Sequence, residues 1–231
     1  MKTKMKTKMK FVLSALIVLI LFPSCQKEKG CIDPIAINYN IDAEVDDGSC
    51  VYNTIITGTI TELDAQGTVI MNPPPSPPTV TGDYTKFSFA EGGIVEGENW
   101  DVAFRSTSII VNGGMASDSS QLSRTGNAAV YLIDGTMTEI SSVDEGLLTQ
   151  DAATSTAIID DFGQMQMGWC VYDQSTNIIS PIAGKILVFR THDNKYAKVE
   201  ILNFYDAAMT NIYGGFYTFN YVYQSDGGIT F

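Results

Sequence analysis

Histidine, a side chain on which many catalytic and metal sites rely, occurs once in this sequence, as His192. A Ser/His/Asp triad would have to use it, but the following Asp193-Asn194 predicts a hairpin turn and therefore an exposed histidine. The sequence contains no paired-histidine zinc motif, no P-loop and no glycine-rich dinucleotide motif. Two carboxylates would suffice for glycosidase chemistry, but no motif favours it. We therefore expect a binding protein and not an enzyme.

Methionine supplies a second kind of reactive atom, a soft thioether sulfur that can ligate transition metals. Met137 follows Asp134-Gly135-Thr136, which predicts a turn at a strand end, where a side chain can point into a cleft. Met165 and Met167 alternate with other residues, so on a strand they share one face with Trp169. The alternative is that these methionines fill the core, which is the usual role of this residue type.

A short amino-terminal module, residues 30–52, combines two cysteines with many oxygen donors. Cys31 and Cys50 predict a disulfide if the chain is exported. Calcium binds six to eight oxygens, so the module could hold Ca²⁺. The spacing lacks the final glutamate of an EF-hand, and the alternative is that the same residues only form turns. The candidate calcium ligands are Asp33, Asn38, Asn40, Asp42, Asp46 and Asp47.

The amino terminus has the pattern of an export signal. A lysine-rich start precedes the apolar run Phe11–Phe22, which is too short to span a membrane comfortably and predicts a signal peptide over residues 1–24. Pro23-Ser24-Cys25 places a cysteine after a small residue, as in bacterial lipoproteins, so we expect lipidation of Cys25. The alternative is an ordinary signal peptide followed by an unmodified cysteine. Residues 25–29 then form a tether to the module.

Charge excludes one class of partner. The chain has 26 acidic and 14 basic residues, a net charge of −12, and five of the lysines lie within the first ten residues. Removal of the signal peptide therefore makes the protein still more acidic. Such a chain repels phosphate backbones, so we expect no binding to nucleic acid.

The rest of the chain, residues 53–231, reads as strands joined by turns. Phe87–Gly114 alternates apolar and polar residues between glycine turns and places Trp100, Val102 and Phe104 on one face. Gly214–Tyr223 alternates strictly, which is typical of a strand with one buried face. A short helix is expected only within residues 147–159. Many short strands at this spacing predict an all-β sandwich or a barrel-like fold.

Four segments of this region resemble the HmuY family of haem-binding lipoproteins from Bacteroidetes. They cover the chain from about residue 80 to its end: F-S-F-x-E-G-G-x-V with W-D-V-A-F-R (Phe87–Arg105), I-I-V-N-G-G (Ile109–Gly114), G-K-I-L-V-F-R-T-x-D-x-K-Y-A-K-V (Gly184–Val199) and Y-T-F-N-Y-V-Y (Tyr217–Tyr223). The resemblance implies an all-β, lipid-anchored protein at the cell surface. It also implies capture of haem b (iron protoporphyrin IX) and its transfer to a TonB-dependent outer-membrane receptor.

The resemblance also implies where the iron ligands lie, between residues 114 and 184. Some relatives use histidines and others methionines, and this segment contains no histidine. The implied axial ligands are Met137 together with Met165 or Met167. The alternative is a surface lipoprotein that keeps the scaffold without haem ligation and binds a glycan or a protein. The sequence leaves open whether the chain forms a homo-oligomer.

Overall fold

The computed structural model describes residues 27–52, 54–74, 76, 79–158, 168–210 and 212–231. The predicted signal peptide and Cys25 lie outside the described residues. The chain divides into two compact units, the first ending at Tyr52 and the second running to Phe231. No helix in the described ranges is long and apolar enough to cross a membrane.

The first unit is held by its disulfide and by short turns. Two parallel two-residue strands, β1 (Lys29–Gly30) and β2 (Val45–Asp46), pair with each other next to the disulfide cysteine Cys31. Cys31 and Cys50 are bonded, which confirms the predicted disulfide. Closing a loop of this length stabilises a small unit by on the order of 3 kcal/mol, because the reduced chain has more conformational freedom.

The regular secondary structure described in the second unit is almost entirely β-strand, which confirms the predicted all-β fold. A single 3₁₀ turn, Glu145–Leu147, interrupts the described strands. In chain order the strands are β3 (Ile55–Asp64), β4 (Thr68–Ile70), β5 (Thr79–Thr81), β6 (Thr85–Ser88), β7 (Gly93–Ile94), β8 (Val102–Arg105), β9 (Ser108–Val111), β10 (Ala129–Asp134), β11 (Cys170–Asp173), β12 (Ile178–Pro181), β13 (Lys185–Arg190), β14 (Tyr196–Asn203) and β15 (Phe216–Gln224).

Two antiparallel sheets form the body of this unit. The larger sheet has the order β10-β13-β14-β15-β3, and the smaller has the order β7-β6-β8-β9. Hairpins β4–β5 and β11–β12 form two further small sheets. Neighbouring strands in both main sheets run antiparallel, so each sheet can bury one face and expose the other.

Aromatic rings fill the space between the two sheets. Phe87 of the smaller sheet meets Phe219 of the larger one edge to face, with 5.4 Å between ring centroids. Phe104 and Tyr217 lie 4.7 Å apart in the same cluster. Along β15 the buried residues alternate with partly buried ones, as the sequence predicted. The buried set is Tyr217, Phe219, Tyr221 and Tyr223.

The predicted face of Trp100 is wrong. Val102 and Phe104 belong to the main core, but Trp100 packs with Tyr84, Ala103 and Ile110 in a separate cluster on the other side of the smaller sheet. Strand β8 begins only at Val102, so the two-residue alternation does not extend back to Trp100.

The helix expected within residues 147–159 is also absent from its described part, which ends at Ile158. The 3₁₀ turn before it is capped by Asp144, whose Oδ1 accepts a hydrogen bond from the Gly146 amide. The chain then pairs with Val130 of β10 through Thr149, with backbone bonds of 2.8 and 3.1 Å. Covering the edge of a sheet satisfies the backbone of this segment without a helix.

A buried carboxylate connects the two sheets. Asp101, which precedes β8, accepts hydrogen bonds at Oδ2 from the Phe89 amide (2.8 Å) and at Oδ1 from the His192 amide (2.9 Å). The ring Nδ1 of His192 lies 2.7 Å from the same Oδ1. The sequence predicted an exposed histidine, but its side chain is only 20% exposed because it packs against Asp101.

We expect this pair to make stability depend on pH. The hydrogen bond with Asp101 raises the pKa of His192 above its ordinary value near 6.5. The stabilisation is therefore complete below pH 6.5 and is lost as pH rises through the raised folded-state pKa. Urea unfolding across that range should show this loss in the native protein and not in His192→Gln, which cannot titrate. The same pH dependence in both proteins would refute the assignment.

Candidate functional site

Met137 lies in a turn that follows β10. Thr136 and Glu139 hold this turn: Glu139 Oε2 accepts hydrogen bonds from the Thr136 amide (3.0 Å) and hydroxyl (2.9 Å). The Met137 side chain is partly buried. It packs against an apolar cluster on the outer face of the larger sheet, called here the outer cluster, formed by Tyr131, Val143, Ile186, Val188 and Tyr196.

Lys198 of β14 clamps the Met137 turn onto the sheet. Its Nζ donates to the carbonyl oxygens of Met137 (2.6 Å) and Ile140 (2.7 Å), and it lies 4.7 Å from the centroid of the Phe231 ring. Only 4% of Lys198 is exposed, and no described carboxylate pairs with it. Burial therefore lowers the pKa of the ammonium group. Its hydrogen bonds to the two carbonyl oxygens replace those that the ammonium group would make to water.

A cavity of about 440 Å³ opens beside the outer cluster. This volume is within the range of small-molecule sites in proteins. Its floor is apolar and includes Tyr131, Ile133, Ile140 and Val143, whereas the remaining wall is polar and acidic except at Leu147. The remaining lining residues are Glu139, Ser141, Ser142, Asp144, Glu145 and Leu147. The arrangement suits an amphipathic ligand whose apolar part contacts the cluster and whose anionic groups, if any, point away from the three carboxylates.

The other two predicted ligands, Met165 and Met167, lie outside the described residues. Both flanks of their segment are fixed in the core: Ile158 is 2% exposed and Trp169 is 1% exposed. The indole Nε1 of Trp169 donates to the Thr107 carbonyl at 3.1 Å. Ligation by Met165 or Met167 stays a prediction.

Asp151 anchors the chain that leads into that segment. Its carboxylate accepts bonds from the amides of Val111 (3.0 Å) and Ala157 (2.8 Å) and pairs with Arg124 at 2.9 Å. Both charged side chains are 1% exposed. Burial raises the pKa of Asp151, while the two amides and the guanidinium oppose that rise. The loop after β10 is therefore attached to β9 by the hydrogen bond from Val111, and to the segment between β9 and β10 by the buried ion pair with Arg124.

Sequence reasoning missed a second cavity, of about 470 Å³, between β12 and the chain that follows β14. Met209 lines it, is 51% exposed and has a positive φ of 48°, which is uncommon outside glycine. Ile178, Ile179 and Leu202 contribute apolar surface to the same cavity. Met209 lies outside the segment in which the resemblance implies ligands, so only the folded chain reveals its position.

The candidate calcium ligands take part in the turns of the first unit. Asp33 Oδ1 accepts from the Ile35 amide at 3.0 Å, and Asp33 Oδ2 accepts from the Tyr52 hydroxyl at 2.8 Å. The remaining five are also hydrogen-bonded within this unit. Asp42 (through its amide, to Asn40), Asp46 (with Gly48) and Asp47 (with Ser49) bond two residues away, whereas Asn38 bonds with Ser49 and Val51 and Asn40 also bonds with Glu28 across the unit. This is the turn role that the sequence offered as the alternative, and the calcium site stays a prediction.

One group of described side chains converges as metal ligands do: Asp101, His192 and Asp193, whose donor atoms lie within 4.8 Å of one another. Asp101 already accepts three hydrogen bonds, and Asp193 pairs with Lys195 at 3.3 Å. A cation would have to displace these partners. We interpret the group as a structural contact between the sheets.

The chain matches one family model, described as HmuY protein, over residues 80–221. The comparison with curated proteins gave no match.

Three solved structures are similar at low identity, and each aligns with 74% of this chain. The first, a candidate lipoprotein from Bacteroides fragilis, has 17% identity, 92% of its own chain covered and a TM-score of 0.44. A candidate HmuY-like haem-binding protein from Bacteroides vulgatus has 18% identity, 92% coverage and a TM-score of 0.43. An apo HmuY analogue from Tannerella forsythia has 13% identity, 95% coverage and a TM-score of 0.39.

We expect Lys198→Met to loosen the Met137 turn. The substitution leaves two carbonyls without their donor, at a cost of about 1–3 kcal/mol that removal of a buried charge partly offsets. Hydrogen exchange of residues 134–142 should therefore accelerate by about tenfold. Lys198→Arg keeps the donors and should change exchange less. Unchanged exchange in Lys198→Met would show that the clamp does not hold the turn.

Proposed function

Because this chain belongs to the HmuY family, we propose that it is an exported lipoprotein that captures haem and passes it to a TonB-dependent outer-membrane receptor. The observation that carries the proposal is the family match over residues 80–221, which runs from β5 into β15 and includes the whole smaller sheet and every strand of the larger one except β3. The proposed transfer of haem to the receptor is supported by the family resemblance alone.

Met137 is one of the two residues that would hold the haem iron. It is partly exposed, and it packs against the outer cluster whose members Tyr131 and Val143 also line the 440 Å³ cavity. An apolar floor can cover part of a porphyrin face, and burial of that face would supply most of the binding free energy. The three acidic side chains of the wall would require the propionates to face solvent. Met165 or Met167 would supply the second thioether.

Thioether ligation has a distinct chemical signature. Sulfur is a soft donor and favours ferrous over ferric iron, so affinity should be higher for the reduced haem. Methionine does not titrate, so affinity should change little between roughly pH 5 and pH 8, where a histidine ligand would gain a proton.

We expect Met137→Ala to shift the ferrous haem spectrum and weaken binding without abolishing it. A haemin titration followed by visible absorbance, before and after reduction, measures both effects. Met165→Ala and Met167→Ala should differ, because the two side chains share a face two residues apart and only one of them can reach the iron. Met115→Ala is a matched control, since Met115 is 60% exposed. An unchanged ferrous spectrum in the triple variant lacking Met137, Met165 and Met167 would refute the ligand set.

A second candidate function is supported by the exposed apolar surface of the first unit. Ile35, Ile37 and Ile41 are 83%, 70% and 79% exposed. Exposed apolar residues at this density favour a contact surface for another molecule. A surface lipoprotein that binds a protein or a glycan would retain the scaffold and give no haem spectrum in the same titration.

The proposed membrane anchor is a lipid on Cys25, six residues before the disulfide cysteine Cys31. We expect Cys25→Ala to release the protein from membranes or to stall its processing, because acyl chains supply the membrane affinity. Ser24→Ala keeps a small residue before the cysteine and serves as the control. Fractionation of cells measures both variants. Membrane association of Cys25→Ala equal to that of the parent would exclude this anchor.

A further inference from the structure

Strand β3 ends the larger sheet and is the longest strand in the described residues, with ten residues, Ile55–Asp64. Within the described chain it pairs only with β15. Every second residue of such an edge strand points its amide and carbonyl away from the sheet. An edge of this kind can accept another strand.

The other edge of the same sheet is covered. Strand β10 has six residues, and Thr149 exchanges two backbone hydrogen bonds with Val130, at 2.8 and 3.1 Å. The two edges therefore differ: a loop of the chain itself bridges the β10 edge at Val130, and no described segment bridges the outer edge of β3.

The middle of β3 also lacks the features that protect an open edge. Residues 56–61 read Ile-Thr-Gly-Thr-Ile-Thr, without a charge or a proline. Protection appears only beyond them, where Glu62 has a positive φ of 53° and the register with β15 shifts. Charges, prolines and bulges are the usual means of preventing edge-to-edge pairing. The absence of these features from residues 56–61 favours pairing of this edge with another strand.

The sequence of this edge is complementary to itself about Gly58. In an antiparallel pairing centred there, Ile56 lies opposite Ile60 of the other strand, and Thr57 lies opposite Thr59. Glu62 falls opposite Thr54, so no two like charges meet. If the second strand were shifted by one residue, its isoleucines would point to the opposite face of the joined sheet and would no longer meet Ile56 and Ile60.

In this pairing the exposed side chain of Ile56 lies on the same face of the sheet as the core. Gly58 is opposite Tyr221, and a Cβ at Gly58 would lie 2.4 Å from the Tyr221 ring, so residues 56, 58 and 60 face the core side. Ile60 packs against the core, whereas Ile56 is 41% exposed. An Ile60 from an opposing strand would cover it and extend the core across the junction.

We propose that a second copy of this chain pairs with β3 in an antiparallel, two-fold arrangement centred on Gly58, which joins two five-stranded sheets into one. The partner is a second copy because each side chain then meets a complementary one from the same sequence, as an isologous interface requires. The net negative charge of the chain opposes association at long range, so salt strengthens the pairing.

Disulfide cross-linking of the full-length chain in membranes tests the register. Opposite residues of an antiparallel pair have Cβ atoms within about 5.5 Å, close to disulfide distance, whereas diagonal ones are about 7–8 Å apart. Cells that produce Thr57→Cys and Thr59→Cys chains together should form a cross-linked dimer under mild oxidation. Each variant alone should form little. No dimer in the mixture, or a cross-link to a different protein, overturns the proposal.

Charge exchange tests the interface without cysteines, by measuring association of the full-length protein in detergent. The double variant Thr57→Lys with Thr59→Lys places like charges opposite each other and should weaken dimerisation by about tenfold. The matching glutamate double variant should do the same, and a mixture of the two should restore the dimer. Thr79→Lys with Thr81→Lys, on the β4–β5 hairpin, adds equal charge elsewhere and should have little effect. Equal weakening by this control would overturn the proposed edge.

Discussion

The two sheets depend on one buried carboxylate, that of Asp101. It connects the end of β6 through Phe89, the start of β8 through its own backbone, and the turn between β13 and β14 through His192. A charge at 1% exposure is tolerated only when its oxygens are bonded, so these contacts are required together. Asn112 extends the arrangement by donating to the Trp100 carbonyl and accepting from the Gly126 amide. The loops at this end of the sandwich are thereby fixed.

Strand periodicity made much of the fold predictable. β15 alternates because one of its faces is buried, and the same reason produces the aromatic spacing of β6. The prediction was wrong for Trp100, where the strand has not yet begun, and for His192, whose ring is held by a carboxylate far away in sequence. Such contacts between distant segments leave no local pattern in a sequence.

In the candidate site, too, local sequence patterns were predictable and contacts between distant segments were not. A turn at Met137 follows from its neighbours, and the structure places that turn beside an apolar cluster and a cavity. Lys198 could not be recognised, because a lysine on a strand ordinarily faces water, and its acceptors lie in a turn some sixty residues earlier. Its burial is explained by its hydrogen bonds to these two carbonyl oxygens, which only the folded chain brings close. Sequence therefore indicates which residues could bind, and long-range packing decides how firmly each is held.

The disulfide of the first unit has a consequence for the order of folding events in the proposed export of the chain. A third thiol, Cys170, becomes buried only when the core of the second unit forms. Loop closure becomes less favourable with the 3/2 power of length, so the 19-residue span from Cys31 to Cys50 closes on the order of tenfold more readily than the span from Cys50 to Cys170. The amino-terminal pair also leaves the ribosome first. We therefore expect the Cys31–Cys50 bond to form before Cys170 can compete for either cysteine, so that few chains mispair.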